Sequence, residues 1–539
     1  MISKKLKFLM ILLIIFLGAC LRFYKLGETR QGFFRDEAAL GFNSWSVLKT
    51  GADEYGQKLP VFFRSFEVFF MPAYVYLSTP IFSIFGPTEL STRFLSALSG
   101  TILILIGYFV TKELFKSEKI GLLTALVISL SPWSIFYSRG AFEGNLSLLF
   151  FSLGFYLWLK FKNTQKNGFF YASLIFFVFS MYSYQAPRLI VPFFLIASVL
   201  LTRKWLGKFK LWFLGGLLVS LLYFPVLIYS TSPASYHRAY GVSLFSARTS
   251  LPGYNQKLGR WQYLYLVPRE FFSLYLHYFS PSNLFGQSDY NAQRTVPNYS
   301  VFYLWQLPLF FLGIQKLLKI KFKNRQAFLL WLLISPLSAA LTGDPFHTYR
   351  AILFLMPVSI VIGLGFGEIV EYFKKFKSLF LLLILIISYS VSSFVFNLLV
   401  MMPIVNWRDW DYGYKEICQA VKVLPENLRI VVDDPNTESY IHFLFYGVVP
   451  IKEYQKTASA IVDGEYYSSG NKLRPERIGR FEFRKVDWPK ERGDKNTVFI
   501  FPATRLYPSE FASDPKLQLI KTIYTPGADP AFYIIKTIN

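Results

Sequence analysis

Carboxylates outside the apolar segments are the first candidates for chemistry. Asp36 and Glu37 are adjacent soon after the first apolar run, and Glu143 lies in a later polar stretch. A carboxylate within hydrogen-bond reach of a hydroxyl can take its proton, which makes that hydroxyl a better nucleophile. These three acids are therefore candidates for activating an acceptor group.

Cations near the ends of later apolar segments are candidates for holding an anion. Arg139 precedes Glu143 by four residues, Arg188 follows a Tyr-Gln-Ala-Pro stretch, and His347 and Arg350 are three residues apart. Arginine suits phosphate because its guanidinium makes charge-assisted, often paired hydrogen bonds. The pattern predicts one pocket in which carboxylates activate a group and cations hold an anion. Further candidates for this pocket are Arg64, Glu67, Arg93, Tyr184 and Gln185.

Each of these features also has a structural interpretation. The acids at 36–37 could cap a helix, and the charged pair at 139–143 could be an ion pair at a helix end. The cations at 347–350 could lie in the lipid headgroup region, where basic side chains commonly extend. The functional interpretation is favoured because all of these groups fall on one side of the predicted membrane.

Composition determines the class of protein that must position these residues. Hydrophobic residues make up 53% of the 539 positions and charged residues 17%, against roughly 25% charged residues in soluble proteins. The mean hydropathy is +0.35. These values predict a polytopic α-helical membrane protein and exclude the soluble, fibrous and disordered classes.

The strong positive charge does not indicate a nucleic-acid partner. The formal net charge is +24, yet residues 401–539 contain 19 Lys/Arg and 18 Asp/Glu. Nearly all of the excess therefore lies in the part rich in apolar runs, where basic loops set the topology. The two cysteines, Cys20 and Cys418, provide no disulfide framework and no thiolate metal cluster.

Eleven apolar runs approach the length of about 20 residues that crosses a bilayer. They are Leu6–Leu21, Phe94–Val110, Ile120–Phe136, Leu146–Leu159, Phe169–Tyr184, Leu189–Leu201, Leu211–Tyr229, Val301–Ile314, Ala327–Leu341, Ala351–Val370 and Leu379–Val400. Lysines around the first run place the N-terminus in the cytoplasm, and every even-numbered crossing returns to a basic loop. We therefore expect a multi-pass protein of the plasma (inner) membrane with an extracytoplasmic C-terminal region. The stretch Leu17–Cys20 resembles a lipoprotein cleavage site, but cleavage there would leave an odd number of crossings before a basic loop.

The chain divides by composition into two domains. Residues 1–400 form the predicted transmembrane domain, with a first outer loop at 22–92 that carries the acidic motif and a long outer loop at 230–300. Residues 401–539 read as an extracytoplasmic α/β domain, because apolar alternation and helical periodicity follow one another there. The expected helices are Tyr414–Leu424 and Glu438–Tyr446, and the expected strands are Leu428–Val432, Asn496–Phe501, Leu517–Tyr524 and Ala531–Thr537.

Several motifs resemble one known family. They include Phe34–Asn43, Thr50-Gly51, Asp53–Gly56 with Leu59-Pro60, Phe85-Gly86, Arg93-Phe94, the Arg139/Glu143 loop, Tyr184–Leu189, His347–Arg350, Tyr412–Glu416 and Tyr440–Tyr446. This pattern resembles the GT-C glycosyltransferases. In particular it resembles bacterial relatives of the dolichyl-phosphate-mannose–protein mannosyltransferases, a group that includes the aminoarabinose transferases.

The resemblance implies a reaction and roles for the residues. A polyprenyl-phosphate-linked sugar in the outer leaflet would donate its glycosyl group, with inversion, to a hydroxyl of a protein, lipid or cell-envelope glycan. Asp36 matches the acid that acts as general base, Glu37 would support it, and Glu143 matches a second acidic site. Arg350 and His347 would bind the donor phosphate, assisted by Arg139 or Arg188.

Two departures from the family pattern are visible. The aminoarabinose transferases carry a lysine after an acid in the late first loop, whereas Glu67 here is followed by Val68-Phe69-Phe70, and Arg64 is the nearest substitute. Trp410-Asp411-Tyr412-Gly413 is similar to a motif of oligosaccharyltransferases, but residue 409 is Asp rather than Trp. An oligosaccharyltransferase-like role is therefore kept as an alternative.

Other functions and cofactors remain open at this level. A transporter or flippase of lipid-linked sugars is the second hypothesis, although such proteins more often carry charged or broken helices at the membrane midplane. A receptor-like role is disfavoured because residues 401–539 have no cysteine pair, metal-ligand spacing or basic stripe. The implied reaction requires no cofactor. Asp36, Glu37, Glu143 and His347 could supply ligands to a divalent metal, but no spacing demands one.

Overall fold

The computed structural model describes residues 3–28, 32–66, 68–201, 209–232, 235, 243–244, 260–287, 289–373, 376–462, 464–467 and 474–538. The chain forms two compact units. The helical unit contains Met1–Leu26 and Arg93–Asn397, and the mixed unit contains Gly27–Thr92 and Leu398–Asn539. The acidic first loop therefore belongs with the C-terminal region, whereas the sequence analysis grouped it with the transmembrane helices.

The helical unit is built almost entirely from apolar helices, because only internal hydrogen bonding satisfies the backbone within a bilayer. Its α-helices are Lys4–Phe23, the greater part of Glu89–Phe115, Glu118–Leu130, Pro132–Arg139, Glu143–Thr164, Asn167–Ser183, Pro187–Leu201, Phe209–Ser230, Arg260–His277, Leu307–Lys319, Arg325–Ile334, Leu337–Ala340, Leu355–Phe373 and Lys377–Phe396. Each of the eleven apolar runs overlaps one of these helices or a consecutive pair. The helix Arg260–His277 lies inside the segment expected to be a loop.

The number of membrane crossings stays a prediction. Among the described residues, six helices are long and apolar enough to span a bilayer. A seventh is added if Glu118–Leu130 and Pro132–Arg139, which are bent by 53°, form one span. Three shorter apolar helices occur at Asn167–Ser183, Pro187–Leu201 and Arg325–Ala340. The class, a multi-pass α-helical membrane protein with a C-terminal α/β region, is confirmed.

Glycines let two of these helices pack closely. A Cβ at Gly365 would lie 1.8 Å from the Leu309 carbonyl oxygen, and one at Gly313 would lie 1.9 Å from the Val361 carbonyl oxygen. Small residues at such crossings allow the backbones to approach, which is how membrane helices gain packing energy without a hydrophobic driving force. A 3₁₀ turn, Ile352–Phe354, joins the His347–Arg350 segment to the helix Leu355–Phe373. Close packing of this helix therefore helps to fix the position of that segment.

The mixed unit contains a small hairpin and a six-stranded sheet. Strands β1 (Phe63–Ser65) and β2 (Val68–Phe70) pair antiparallel in the first loop. The sheet strands are β3 (Arg429–Asp433), β4 (Arg477–Ile478), β5 (Phe481–Arg484), β6 (Thr497–Pro502), β7 (Leu517–Tyr524) and β8 (Pro530–Thr537). Their order is β4-β5-β3-β6-β8-β7, and β3 runs parallel to β5 and β6 while the other pairs are antiparallel.

Helices complete the mixed unit. They are Arg35–Thr50, Pro72–Phe85, Met402–Val405, Tyr414–Lys422, Tyr440–Phe445, Ile451–Val462 and Trp488–Glu491. The two helices and four strands expected after residue 401 are confirmed, with ends that coincide with the expected ones or differ by one or two residues. The helix Ile451–Val462 and the strands β4 and β5 were not predicted. Their presence places β3 in the interior of the sheet, with a parallel neighbour on each side.

Candidate functional site

The acidic pair of the first loop lies at the start of a helix. The helix Arg35–Thr50 is preceded by Phe34 in an extended conformation, and the Glu37 carboxylate accepts the Phe34 N–H at 3.3 Å. A carboxylate is favoured there because the first backbone N–H groups of a helix lack intrahelical partners. Glu37 is buried, whereas the neighbouring Asp36 is partly exposed. Glu37 thus caps the helix, and Asp36 is the acid that solvent or a substrate can reach.

Arg35 ties this helix start to the C-terminal part of the same unit. Its Nε and Nη2 donate to Oδ2 and Oδ1 of Asp411 at 3.1 and 2.9 Å, and its backbone N–H donates to Oδ2 at 2.9 Å. The remaining Nη1 pairs with Glu438. Paired Arg–carboxylate bonds fix orientation as well as adding energy.

Asp411 is held as a carboxylate. Burial would raise its pKa, but His442, whose Nε2 lies 3.9 Å from Oδ2, and the charge of Arg35 outweigh burial, so the pKa of Asp411 lies below its usual value. His442 stacks on Tyr414 with ring centroids 4.6 Å apart and planes within 6°. A polar cavity of about 110 Å³ opens beside these groups. It is lined by Arg35, Asp411, Tyr414, Asp434, Asn436, Glu438, Ser439 and His442.

Other charged residues of the first loop have structural partners in this unit. Nη1 of Arg64 donates to the Tyr466 carbonyl oxygen at 2.7 Å, and the Tyr466 hydroxyl donates to Asp53. Burial raises the pKa of Asp53 to about 6 and the pKa of Glu54 well above its usual value. Arg64 is itself buried, and these contacts favour a role in holding the loop. Its place in the predicted pocket stays a prediction. Glu67 lies outside the described residues.

The helical unit contains a cluster of basic side chains around one carboxylate. Arg350 Nη1, Arg294 Nη1 and His347 Nε2 lie 3.3, 3.6 and 3.7 Å from Oδ2 of Asp344. The Tyr290 hydroxyl donates to Oδ1 of the same carboxylate at 2.7 Å. Several hydrogen-bond donors therefore converge on one small volume, which is the arrangement that an anion such as phosphate requires.

The histidine in this cluster is neutral. Burial, together with the charges of Arg350 and Arg294, lowers the pKa of His347 well below its usual value. Its Nδ1 accepts the Arg350 backbone N–H at 3.2 Å, which leaves Nε2 as the ring nitrogen that carries the proton. His347 can thus offer one hydrogen bond, and Arg350 and Arg294 supply the positive charge.

Arg294 and Asp289 are site residues that the sequence analysis missed. Asp289 accepts from the Thr348 hydroxyl at 3.0 Å and pairs with Arg294 at 3.3 Å. Burial raises the pKa of Asp289. Asp289 lies outside regular structure and Arg294 ends the short 3₁₀ helix Ala292–Arg294, so no periodic pattern marks either residue. The only signal in the sequence is the polar run Asp-Tyr-Asn-Ala-Gln-Arg at 289–294, within the long outer loop predicted at 230–300.

Glu143 adjoins an aromatic group. It begins the helix Glu143–Thr164, is 8% exposed, and interacts electrostatically with Tyr349. The Tyr349 hydroxyl accepts the Gly144 N–H at 3.0 Å. The Tyr349 ring lies 4.7 Å from that of Tyr184 and 5.3 Å from that of Tyr137. Glu143 and Tyr184, both expected at the site, thus lie at one aromatic cluster within the helical unit.

The remaining predicted cations bond mainly to the protein itself. Arg139 Nη1 donates to the carbonyl oxygens of Leu21, Arg22 and Tyr24, at the end of the first helix. Arg188 donates to the hydroxyls of Tyr223 and Ser230. Two further candidates also bond to backbone groups or through their own backbone. Nη1 of Arg93 donates to the Leu26 carbonyl oxygen at 3.5 Å. The Gln185 carbonyl oxygen accepts the Arg188 N–H at 3.0 Å. The phosphate-binding roles of Arg139 and Arg188 stay predictions, and these contacts favour the helix-anchoring interpretation.

Comparison with known proteins places this architecture in a class. Residues 71–229 match the family described as dolichyl-phosphate-mannose-protein mannosyltransferase. Over 97% of its length the chain shares the fold of a protein of known structure, and the GT-C fold expected from the sequence is confirmed.

The individual matches differ in sequence identity and in the share of the chain that they cover. ArnT from Cupriavidus metallidurans is 12% identical, with 97% of both chains covered and a TM-score of 0.54 in the apo state. The same protein bound to undecaprenyl phosphate gives a TM-score of 0.55, again at 12% identity and 97% coverage. A protein of Aquifex aeolicus (strain VF5), described as uncharacterized, is 28% identical over 223 residues, which is 40% of this chain and 42% of that protein. The match therefore spans about two fifths of that relative's length.

Proposed function

We propose that this protein is a membrane glycosyltransferase. It moves a sugar from an outer-leaflet polyprenyl-phosphate-linked donor to an acceptor hydroxyl, with inversion at the anomeric carbon. The observation that carries the proposal is the fold shared with ArnT over 97% of both chains, together with the mannosyltransferase family match at residues 71–229. The undecaprenyl phosphate bound to ArnT supports a lipid phosphate as part of the donor.

The acceptor is activated by Asp36. Its carboxylate takes the proton of the acceptor hydroxyl as the oxygen attacks the anomeric carbon of the donor, and general bases of this kind contribute about 10²–10⁴-fold. Asp36 suits this role because it is partly exposed, whereas Glu37 is buried and caps the helix. Glu37 supports the base by fixing the helix start.

The donor phosphate is held by Arg350, Arg294 and His347. As the bond between the anomeric carbon and the phosphate oxygen breaks, the electron pair stays on that oxygen and the polyprenyl phosphate leaves. Cations placed at the leaving oxygen stabilise the charge that develops there in the transition state. A phosphate is already a good leaving group, so we expect the reaction to proceed without a metal cofactor and to persist after treatment with EDTA.

The reaction occurs on the outer face of the plasma membrane. The alternating basic loops place the N-terminus in the cytoplasm and residues 401–539 outside. Asp36 and the Asp344–Arg350 segment then both face the extracytoplasmic side. The acceptor is a protein, a lipid or a cell-envelope glycan at that surface.

Mass spectrometry of the purified protein in liposomes tests the proposal. The protein is incubated with a panel of polyprenyl-phosphate sugars and an extract of cell-envelope acceptors, with Asp36→Asn as the matched control. We expect one donor to lose its sugar and an acceptor to gain the same mass, and neither change with the variant. Movement of intact donor between leaflets, at the same rate in both proteins and without transfer, would instead favour a flippase.

A further inference from the structure

The helix that carries Asp36 is held at its first residue by two distant carboxylates, those of Asp411 and Glu438, and Asp411 makes most of the contacts. Asp411 receives three hydrogen bonds from Arg35, one from the backbone N–H and two from the guanidinium, at 2.9–3.1 Å. Arg35 is the first residue of the helix, and Asp36 is the second. Whatever fixes Arg35 therefore limits where the Asp36 carboxylate can be placed.

The backbone around Asp411 is shaped for this contact. Asp411 has a φ of 50°, a left-handed conformation that is uncommon for residues other than glycine. The segment before the helix approaches it so closely that a Cβ at Gly32 would lie 2.2 Å from the Trp410 carbonyl oxygen. An unusual backbone conformation persists only when its surroundings hold it. Here those surroundings include the Arg35 bonds and the stacked His442.

We propose that Asp411 is a positioning residue for the catalytic base. It fixes the start of the helix Arg35–Thr50 through Arg35 and so keeps the Asp36 carboxylate directed at the acceptor hydroxyl. This inference rests on the proposed function. Misplacing a reacting group by about 1 Å can cost on the order of 10²-fold in rate, so a contact that never touches substrate can still limit turnover.

Enzyme kinetics with the full-length protein test the role. Asp411→Asn keeps the size of the side chain and removes its charge, and Arg35→Lys keeps the charge and removes the paired geometry. We expect each to lower kcat about ten- to hundredfold, since hydrogen bonds to charged groups contribute on the order of 1.5–3 kcal/mol, with the KM for the lipid donor unchanged. The kcat of the double variant should be no lower than that of the weaker single variant, because both changes break the Arg35–Asp411 contact.

Glu482→Gln is the matched control. Glu482 makes the same kind of paired contact with Arg429 in the same unit, at 2.9 and 2.7 Å, on the sheet rather than at the Asp36 helix. We expect its kcat to equal that of the wild type. The positioning role is overturned if Asp411→Asn keeps the wild-type kcat or if Glu482→Gln lowers kcat as much as Asp411→Asn does. It is also overturned if the double variant loses kcat by the product of the two single fold-losses.

Hydrogen exchange separates failure of this inference from failure of the proposed function. The Arg35 N–H donates to Asp411, so Asp411→Ala should speed amide exchange in a peptide covering residues 33–40 severalfold and leave a peptide covering β6 unchanged. This holds whatever reaction the protein catalyses. Unchanged exchange in residues 33–40 would reject Asp411 as the holding group. A fully active Asp36→Asn would reject Asp36 as the base and leave the exchange result standing.

Discussion

Adjacent acids can have different tasks when their surroundings differ. The Glu37 carboxylate accepts a hydrogen bond from the Phe34 N–H, whereas Asp36, one position earlier, is partly exposed. We expect Asp36→Asn to lower turnover by about 10²–10⁴-fold while donor binding persists, because the amide cannot take the proton. Glu37→Gln should lower turnover less and should cost about 1 kcal/mol of stability through the weakened cap. Turnover and thermal unfolding of both variants measure the difference, and the reverse order of turnover would reassign the base to Glu37.

Substitutions of Arg350 and of Asp344 should change the KM for the donor in opposite directions. Arg350→Ala removes a cation from the phosphate site and should raise the donor KM about ten- to hundredfold. Asp344→Asn removes the anion that Arg350 and Arg294 now face, so the donor phosphate no longer competes with it and the donor KM should fall. Glu113→Gln, which breaks ion pairs with Lys116 and Lys160 in the same unit, is the control and should leave the KM unchanged. A raised donor KM in Asp344→Asn would show that the carboxylate supports the site instead.

Helices and strands could be predicted from the sequence where the residues of one segment determine its secondary structure. The apolar runs predicted the helices, and the stretch Leu517–Tyr524, which precedes the Pro526-Gly527 turn signal, was predicted as a strand with the same ends. Strand β5 escaped prediction because it has only four residues, and its Glu482 is stabilised by Arg429 of β3, a partner 53 positions earlier. The helix Arg260–His277 escaped because polar residues and Pro268 interrupt its apolar pattern.

Packing between two helices gives a prediction at the same scale. Gly365→Ala would place a methyl group 1.8 Å from a backbone oxygen, which cannot rotate away as a side chain can. We expect a loss of about 1–3 kcal/mol in stability, typical of an overpacked core. In Gly367→Ala the new methyl group meets its nearest neighbour only at 3.8 Å, so its stability should equal or exceed that of the wild type. Thermal unfolding in detergent compares the two, and equal losses would mean that helix flexibility rather than contact governs this crossing.

The whole molecule contains one arrangement that sequence reasoning did not predict. Residues 27–92 fold with the C-terminal region because charged and polar groups pair across several hundred positions. Arg35 bonds to Asp411, Arg64 to Tyr466, and Lys415 to Glu89. No window of sequence contains both members of such a pair. The sequence selected Asp36, Glu143, His347 and Arg350 on local properties, namely residue type and nearness to apolar runs. Their roles stay predictions.

Orientation in the membrane is the last expectation at this scale. Lysines and arginines cluster in the loops that follow even-numbered crossings, and residues 401–539 are nearly neutral. Positive residues are retained on the cytoplasmic side, so a reporter fused after residue 539 should be extracytoplasmic, active as alkaline phosphatase and inactive as green fluorescent protein. A fusion after Lys166, in a basic loop, should give the opposite pair of signals. Fluorescence from the C-terminal fusion would put Asp36 and the donor site on the cytoplasmic face, away from the outer-leaflet donor that the proposed reaction requires.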